Sequence, residues 1–351
     1  MRNPFIAGSW VRGDNFFGRS GLLRDILDGS RDSLWVIGAR RMGKTSLLKE
    51  VEARTQASKE TPYLALYWDL QGSADARGLA DGLIASIEDN EHFRRAADID
   101  IDAIEDLSVT DMLQAVIRRA VRSGWKTLVL MDEGEELLTV ARNDVPTLGR
   151  LRRVLQKGPE VRSVITATRR LARLDEAAAL VTSPFLHGFL PPIYLTPLDL
   201  EETSALLARG GFSEAAVSAI AEKTGSQPFL VQLIASRLFE NKDLEGTLDV
   251  VANDDMVSNF FSVDHQTLEP IERRILEEVA RERSLAPADI GSALSTPSDT
   301  LGPHLLGLAQ MGYLKQAGGK YSIGNWFFET WLRRQSLNRG AAAESQALRR
   351  F

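Results

Sequence analysis

The chain has 351 residues, enough for two or three domains, and its 44% hydrophobic and 26% charged content suits a globular protein that needs no disulfide or metal staple. Cysteine is absent, which excludes disulfides, thiolate metal sites and cysteine nucleophiles, and the four histidines, His92, His187, His265 and His304, lack ligand spacing. The net charge of −6 argues against wholesale wrapping of nucleic acid, the first residues lack the apolar stretch of a signal peptide, and no run approaches a membrane span, so a cytoplasmic protein with no membrane partner is expected.

In chain order, Ser33–Ile37 is a short apolar run ending at Gly38 and reads as a buried strand. Lys44 to about Ala57 has helical periodicity, with Leu47, Leu48 and Val51 on one side. Tyr63–Leu70 reads as a second strand and residues 78–88 as a helix; residues 97–107 are acidic and irregular. A helix over 111–122 leads into a third strand, Thr127–Met131; a basic helix over 147–157 leads into a fourth, Val161–Ala167, and Ile193–Leu195 is a short fifth. Strands alternating with helices imply an α/β fold, a parallel sheet covered on both faces. Past Thr196-Pro197 the pattern becomes helical over 199–240, broken at Gly210-Gly211 and Gly225, and residues 241–265 read as an acidic, polar connector. Helices over 269–283, 287–294 and 298–311 then precede two short strands flanking Gly318-Gly319, a hairpin signal that together suggests a winged helix. The tail from Gln335 is small and polar and is expected to fray.

Gly38-Ala-Arg-Arg-Met-Gly43-Lys44-Thr45 fits the P-loop pattern G-x-x-x-x-G-K-[ST], with a strand before it and a helix after. Glycines let such a loop curl its N–H groups onto phosphate oxygens, and the following helix adds its N-terminal dipole. Lys44 is expected to neutralise β- and γ-phosphate charge, Thr45 to ligate Mg²⁺, and Ser46 to add a hydroxyl contact. Leu128-Val-Leu-Met131 ends in two acids: Asp132 can reach the Mg²⁺ shell and Glu133 can polarise an attacking water. Glu135 and Glu136 read as solvated acids opening the next element.

Phe17-Gly18-Arg19, followed by Leu22, Leu23 and Ile26, resembles the F-x-G-R segment that precedes the P-loop in AAA+-related archaeal-type ATPases, which adjoin the STAND class of signal-transduction ATPases. The stretch Gly38–Leu48, with its Arg40-Arg41 pair, is similar to that family's P-loop. The resemblance implies an AAA+/STAND-like P-loop sheet with a helical lid and a C-terminal winged helix: 1–197 nucleotide-binding, 198–262 lid and connector, 263–335 winged helix, 336–351 tail. It implies ATP and Mg²⁺ as cofactors, with Phe17, Gly18, Arg19, Gly38, Arg41, Met42, Gly43, Lys44, Thr45 and Ser46 at the nucleotide. Ile165-Thr-Ala-Thr168-Arg169 looks like the family's sensor strand, which makes Arg169 the γ-phosphate sensor and Arg170 its alternative. Gly225-Ser-Gln-Pro228 resembles the lid's G-x-P motif, in which the proline contacts the nucleotide, and His304 is placed where some members carry a phosphate-touching histidine.

These parts imply an ATPase acting as a nucleotide-dependent switch or assembly module with a separate protein partner. Self-association is included, with Arg150, Arg152 and Arg153 as candidates for an arginine supplied to a neighbouring copy. The alternative is an ATP-dependent DNA-binding or loader protein; against it, residues 298–311 contain no Lys or Arg and Lys315 and Lys320 are only a modest supply, whereas Arg333, Arg334, Arg339, Arg349 and Arg350 near the end favour it. A second alternative is an ATP-binding scaffold with little hydrolysis.

Overall fold

The computed structural model describes residues 2–58, 60–177 and 184–348. The chain divides into two compact units: Trp10–Gly38 with Gly43–Leu195, and Met1–Ser9 with Ala39–Met42 and Thr196–Phe351.

The first unit is an α/β layer structure. It runs α1 (Ser20–Leu27), β1 (Ser33–Ile37), α2 (Lys44–Ala57), β2 (Tyr63–Asp69), α3 (Ala76–Asp89), α4 (Glu91–Ala96), α5 (Val109–Arg122), β3 (Lys126–Asp132), α6 (Leu137–Asn143), α7 (Val145–Leu155), β4 (Val161–Ala167), α8 (Leu174–Ala177) and β5 (Ile193–Tyr194). The five strands are all parallel, in the order β2-β3-β4-β1-β5. Every residue of β1 and β4 is buried, as expected of central strands covered by helices on both faces. Their apolar runs therefore read as continuous rather than alternating. The helices are started by side chains the sequence supplies: Asp75 accepts from the N–H groups of Arg77 and Gly78, and Ser108 from that of Asp111. Arg162, on β4, is 5% exposed; its guanidinium donates to the carbonyls of Ile26, Leu27 and Gly29, closing the C-terminal end of α1.

The second unit is helical. It contains α9 (Leu200–Ala208), α10 (Glu214–Thr224), α11 (Pro228–Asn241), α12 (Leu244–Ala252), α13 (Asp255–Gln266), α14 (Pro270–Glu282), α15 (Pro287–Leu294), α16 (Ser298–Gln310), the antiparallel hairpin β6 (Leu314–Ala317) and β7 (Lys320–Ile323), and α17 (Trp326–Leu348). Gly318 and Gly319 turn the hairpin with φ of 57° and 75°, conformations that glycine adopts without steric cost. Three helices and this hairpin form the winged helix. An aromatic cluster joins α11, α13 and α17: Phe229 to Phe260 at 5.2 Å, Phe261 to Phe328 at 5.2 Å, and Phe328 stacked on Trp331 at 5.9 Å.

Two expectations are corrected. Residues 241–265 are not a connector but chiefly α12 and α13; their acids include the N-caps Asp243 and Asp254, whose side chains accept from Gly246 and Met256 N–H. The tail from Gln335 is helical through Leu348, where α17 ends, rather than irregular. Arg339 lies on α17; Arg349 and Arg350 fall outside the described residues.

Candidate functional site

Because the sheet is parallel, the loops leaving β1, β3 and β4 all depart from its C-terminal edge. That geometry brings Gly38–Thr45, Asp132-Glu133 and Thr166–Arg169 to one edge.

The loop after β1 is curled by left-handed residues at Arg41, φ 61°, and Gly43, φ 96°. Gly43 takes this conformation freely, whereas Arg41 holds it at a cost of about 1 kcal/mol. Space at Gly38 is tight, since a Cβ there would lie 3.2 Å from Leu195 Cβ. Lys44 is 8% exposed and donates from Nζ to the Gly38 carbonyl at 3.1 Å, drawing the loop closed beneath the α2 N-terminus. Thr45 follows in the first turn of α2. Ser46 is engaged by the lead-in segment instead of standing open: its Oγ accepts the Val11 N–H at 3.1 Å, while Glu50 accepts that of Gly13. Phe17, Gly18 and Arg19 are half-buried ahead of α1, with Gly18 and Arg19 both at positive φ.

Asp132 closes β3 with only 2% of its surface exposed. Its Oδ1 accepts from Thr166 Oγ at 2.5 Å and from the Glu133 N–H at 3.0 Å, and its Oδ2 from the Tyr67 hydroxyl at 3.1 Å. Glu133 sits at φ 50°, an uncommon conformation for a side-chain-bearing residue and one that turns the chain sharply off the strand. The following residues, Gly134–Glu136, form a 3₁₀ turn. Glu135 is not merely solvated, for its carboxylate accepts the Thr168 N–H at 3.1 Å and ties this turn to the end of β4. Glu136 is partly buried as well; desolvation, and then the neighbouring charge of Glu135, raise its pKa against the opposing pull of Arg170. Arg169 opens the 3₁₀ turn after β4, half-buried, beside an exposed Arg170. The Thr168 hydroxyl is buried without a hydrogen-bond partner among the described residues.

The tip of the loop, Ala39–Met42, groups with the helical unit. The Arg40 N–H donates to Asp264 Oδ1 at 3.3 Å, and Asp264 Oδ2 accepts from the Tyr313 hydroxyl at 2.7 Å. Arg41 donates to the Gly8 carbonyl at 3.1 Å and lies 5.0 Å from the Phe229 ring centre, and Met42 is 2% exposed. Pro228 starts α11, after Gly225 ends α10 at φ 57°. A Cβ at Gly225 would lie 2.3 Å from the Gly324 carbonyl, so this glycine is demanded by packing as well as by the turn. His304 Nδ1 lies 3.4 Å from the buried Glu272 carboxylate, within the winged helix.

The oxygen donors Thr45 and Asp132 suit a hard cation. Among the described residues no group of three or more His, Asp or Glu side chains gathers as a metal-holding cluster. No helix among the described residues is long and apolar enough to cross a membrane. Tyr67, Glu135 and Asp264 were not marked by any local motif, because each meets its partner across strands or helices remote in sequence.

No family model and no curated protein sequence matches the chain. Solved structures do. A Walker-type ATPase of Pyrococcus abyssi, 18% identical, superposes with a TM-score of 0.70 over 94% of this chain and 99% of that one. The ORC2 protein of Aeropyrum pernix, solved in ADPNP–ADP complexes, is 12% identical with a TM-score of 0.53 over 93% and 98%. The fold of this chain is therefore the one these two solved proteins share, a P-loop NTPase sheet followed by a helical lid and a winged helix.

Proposed function

We propose that the chain binds ATP with Mg²⁺ and hydrolyses it to ADP and phosphate, slowly or in response to a partner, as a nucleotide-dependent switch or assembly module in the cytoplasm. The observation that carries this reading is the convergence of the P-loop and the Asp132-Glu133 pair on one edge of the sheet. Lys44 would balance β- and γ-phosphate charge, and the loop N–H groups and α2 dipole would add to it. Thr45 and Asp132 would hold the Mg²⁺, which supplies positive charge for the phosphate oxygens. Glu133 would orient the attacking water and draw off its proton, while Arg169, with Arg170 as alternative, would meet the γ-phosphate. A further arginine from a second copy, out of Arg150, Arg152 and Arg153, is the proposed source of extra transition-state charge.

The switch is supported by the loop tip. Arg40 and Arg41 engage Asp264, Gly8 and Phe229, so a rearrangement of the loop on binding phosphate would be felt directly by α11 and α13. The proposed division of labour is a nucleotide-binding domain over 1–197, a lid over 198–262, a winged helix over 263–335 and a tail over 336–351. The absence of Lys and Arg from α16 favours a protein partner over DNA at the winged helix.

The test is phosphate release from Mg-ATP across protein concentrations, with and without duplex DNA, alongside nucleotide binding. Turnover that rises with protein concentration, ignores DNA and falls at least about 100-fold in Glu133→Gln, with binding retained, is expected. Lys44→Ala should lose binding itself. Stimulation by DNA would move the reading to a loader. Nucleotide binding without turnover under all conditions would leave an ATP-binding scaffold, and no binding would overturn the reading.

A further inference from the structure

Asp132 is fixed by groups from the two neighbouring strands β2 and β4 and by the turn that follows its own strand. Thr166, on β4, and the Glu133 N–H occupy Oδ1 at 2.5 and 3.0 Å, while Tyr67, on β2, occupies one side of Oδ2 at 3.1 Å. A carboxylate offers about four lone-pair positions, so the acceptor position left is on Oδ2, the oxygen shared with Tyr67. Rotating the carboxylate would break all three bonds at once.

Tyr67 is itself held from below by α2. Lys49 Nζ lies 3.4 Å from the centre of its ring and pairs with Glu52 at 3.3 Å. Lys49 stands one helical turn after Thr45, so the helix that carries the P-loop threonine also carries the cation beneath the tyrosine. A cation over the face of a phenol draws ring density toward itself and makes the hydroxyl a stronger donor. The Tyr67 hydroxyl donates to the Asp132 carboxylate, which can only accept. Trp68, the next residue along β2, is fully buried on the opposite side of the strand and fixes the register that presents Tyr67 to Asp132.

We propose that Tyr67, backed by the ammonium of Lys49, is a positioning residue for Asp132: it sets which oxygen lone pair this carboxylate turns toward a magnesium–nucleotide complex. The proposal rests on the nucleotide-binding reading above. Removing the hydroxyl frees Oδ2 to swing and leaves the metal-facing position unset, while the P-loop contacts of Lys44 are untouched.

The experiment is a fluorescence titration of the full chain with a mant-labelled, non-hydrolysable ATP analogue, first in EDTA and then over a range of Mg²⁺, with melting temperatures recorded in parallel. In Tyr67→Phe the affinity in EDTA should stay within about twofold, while the Mg²⁺ concentration giving half the gain in affinity should rise about tenfold, the worth of one hydrogen bond to a charged group. Lys49→Met should shift that midpoint in the same direction by less, Lys49→Arg should restore it, and the double variant should shift it by less than the product of the two. A wild-type Mg²⁺ midpoint in Tyr67→Phe, even with a lowered melting temperature, would reduce the tyrosine to packing and sink the proposal while leaving the nucleotide reading intact. A wild-type chain that binds the analogue neither with nor without Mg²⁺ would remove the nucleotide reading and this proposal together.

Discussion

Glu136 holds a charge where the fold disfavours one. It is partly desolvated, next to Glu135 and near Asp69, with only Arg170 in opposition, and its carboxyl pKa is raised. A carboxyl whose folded value exceeds its unfolded value binds its proton more tightly when folded. Below the ordinary glutamate range both states are protonated and nothing is lost; as pH rises through that range toward the raised value the folded state loses stability, and the loss persists at neutral pH. Glu136→Gln is therefore expected to melt higher than wild type at pH 7, and the gain should vanish at about pH 3.5, where both states of the glutamate are protonated. A thermal melt series across that interval checks it, and a gain independent of pH would point to packing in place of charge. The Asp254 carboxylate behaves oppositely. The hydrogen bond from Arg237 at 2.5 Å lowers its pKa, so its contribution is present above the ordinary aspartate value and lost as pH falls through the folded one. Arg237→Leu should lower the melting temperature at neutral pH, and its gap to wild type should close in acid.

The turn after β3 depends on a missing side chain. A Cβ on Gly134 would lie 2.6 Å from Ile165 Cγ1 and 2.8 Å from its Cδ1, so Gly134→Ala forces the packed Ile165 side chain or the turn to shift. Overpacking of this kind costs about 1–3 kcal/mol. Denaturant unfolding should show that loss, and Ile165→Ala should reduce the added cost of the alanine, because the colliding atoms are gone. Elements of this part of the fold were largely legible in the sequence. β1 and β4 are unbroken apolar runs because they are buried on both faces, and the P-loop lies between a strand and a helix that announce themselves. The places of Lys44 at the start of α2 and of Asp132 and Glu133 at the end of β3 follow from local spacing alone. Tyr67 and Glu135 do not, since their partners stand 65 and 33 residues away and only the sheet register brings them together. The helices α12 and α13 were hidden for a different reason: acids that cap helices at Asp243 and Asp254 look the same, in composition, as acids of a linker.

At the scale of the whole chain, the P-loop is a continuous segment whose ends belong to the sheet and whose tip groups with the helical unit. Asp264 is one of the residues that this tip meets. It is 3% exposed, accepts the Arg40 N–H, and is held by the hydroxyl of Tyr313, which burial and the adjacent carboxylate keep protonated. A P-loop N–H is a donor suited to phosphate, and here a carboxylate takes it. Phosphate and Asp264 are both anionic acceptors, so occupancy by one disfavours the other through competition for the donor and through charge. Asp264→Asn keeps the size and an acceptor oxygen but removes the charge. It is expected to lower the stability of the nucleotide-free chain by about 1–2 kcal/mol, since a charge-assisted bond to Tyr313 becomes a neutral one. The same substitution should tighten nucleotide binding several-fold. Tyr313→Phe should move both quantities in the same directions by less, because it loosens the carboxylate without removing it. Melting curves and nucleotide titrations on the two variants decide the matter: stability lost with affinity unchanged would make Asp264 a structural tie alone, whereas opposite movements of the two would mean that Asp264 competes with the nucleotide for the Arg40 N–H.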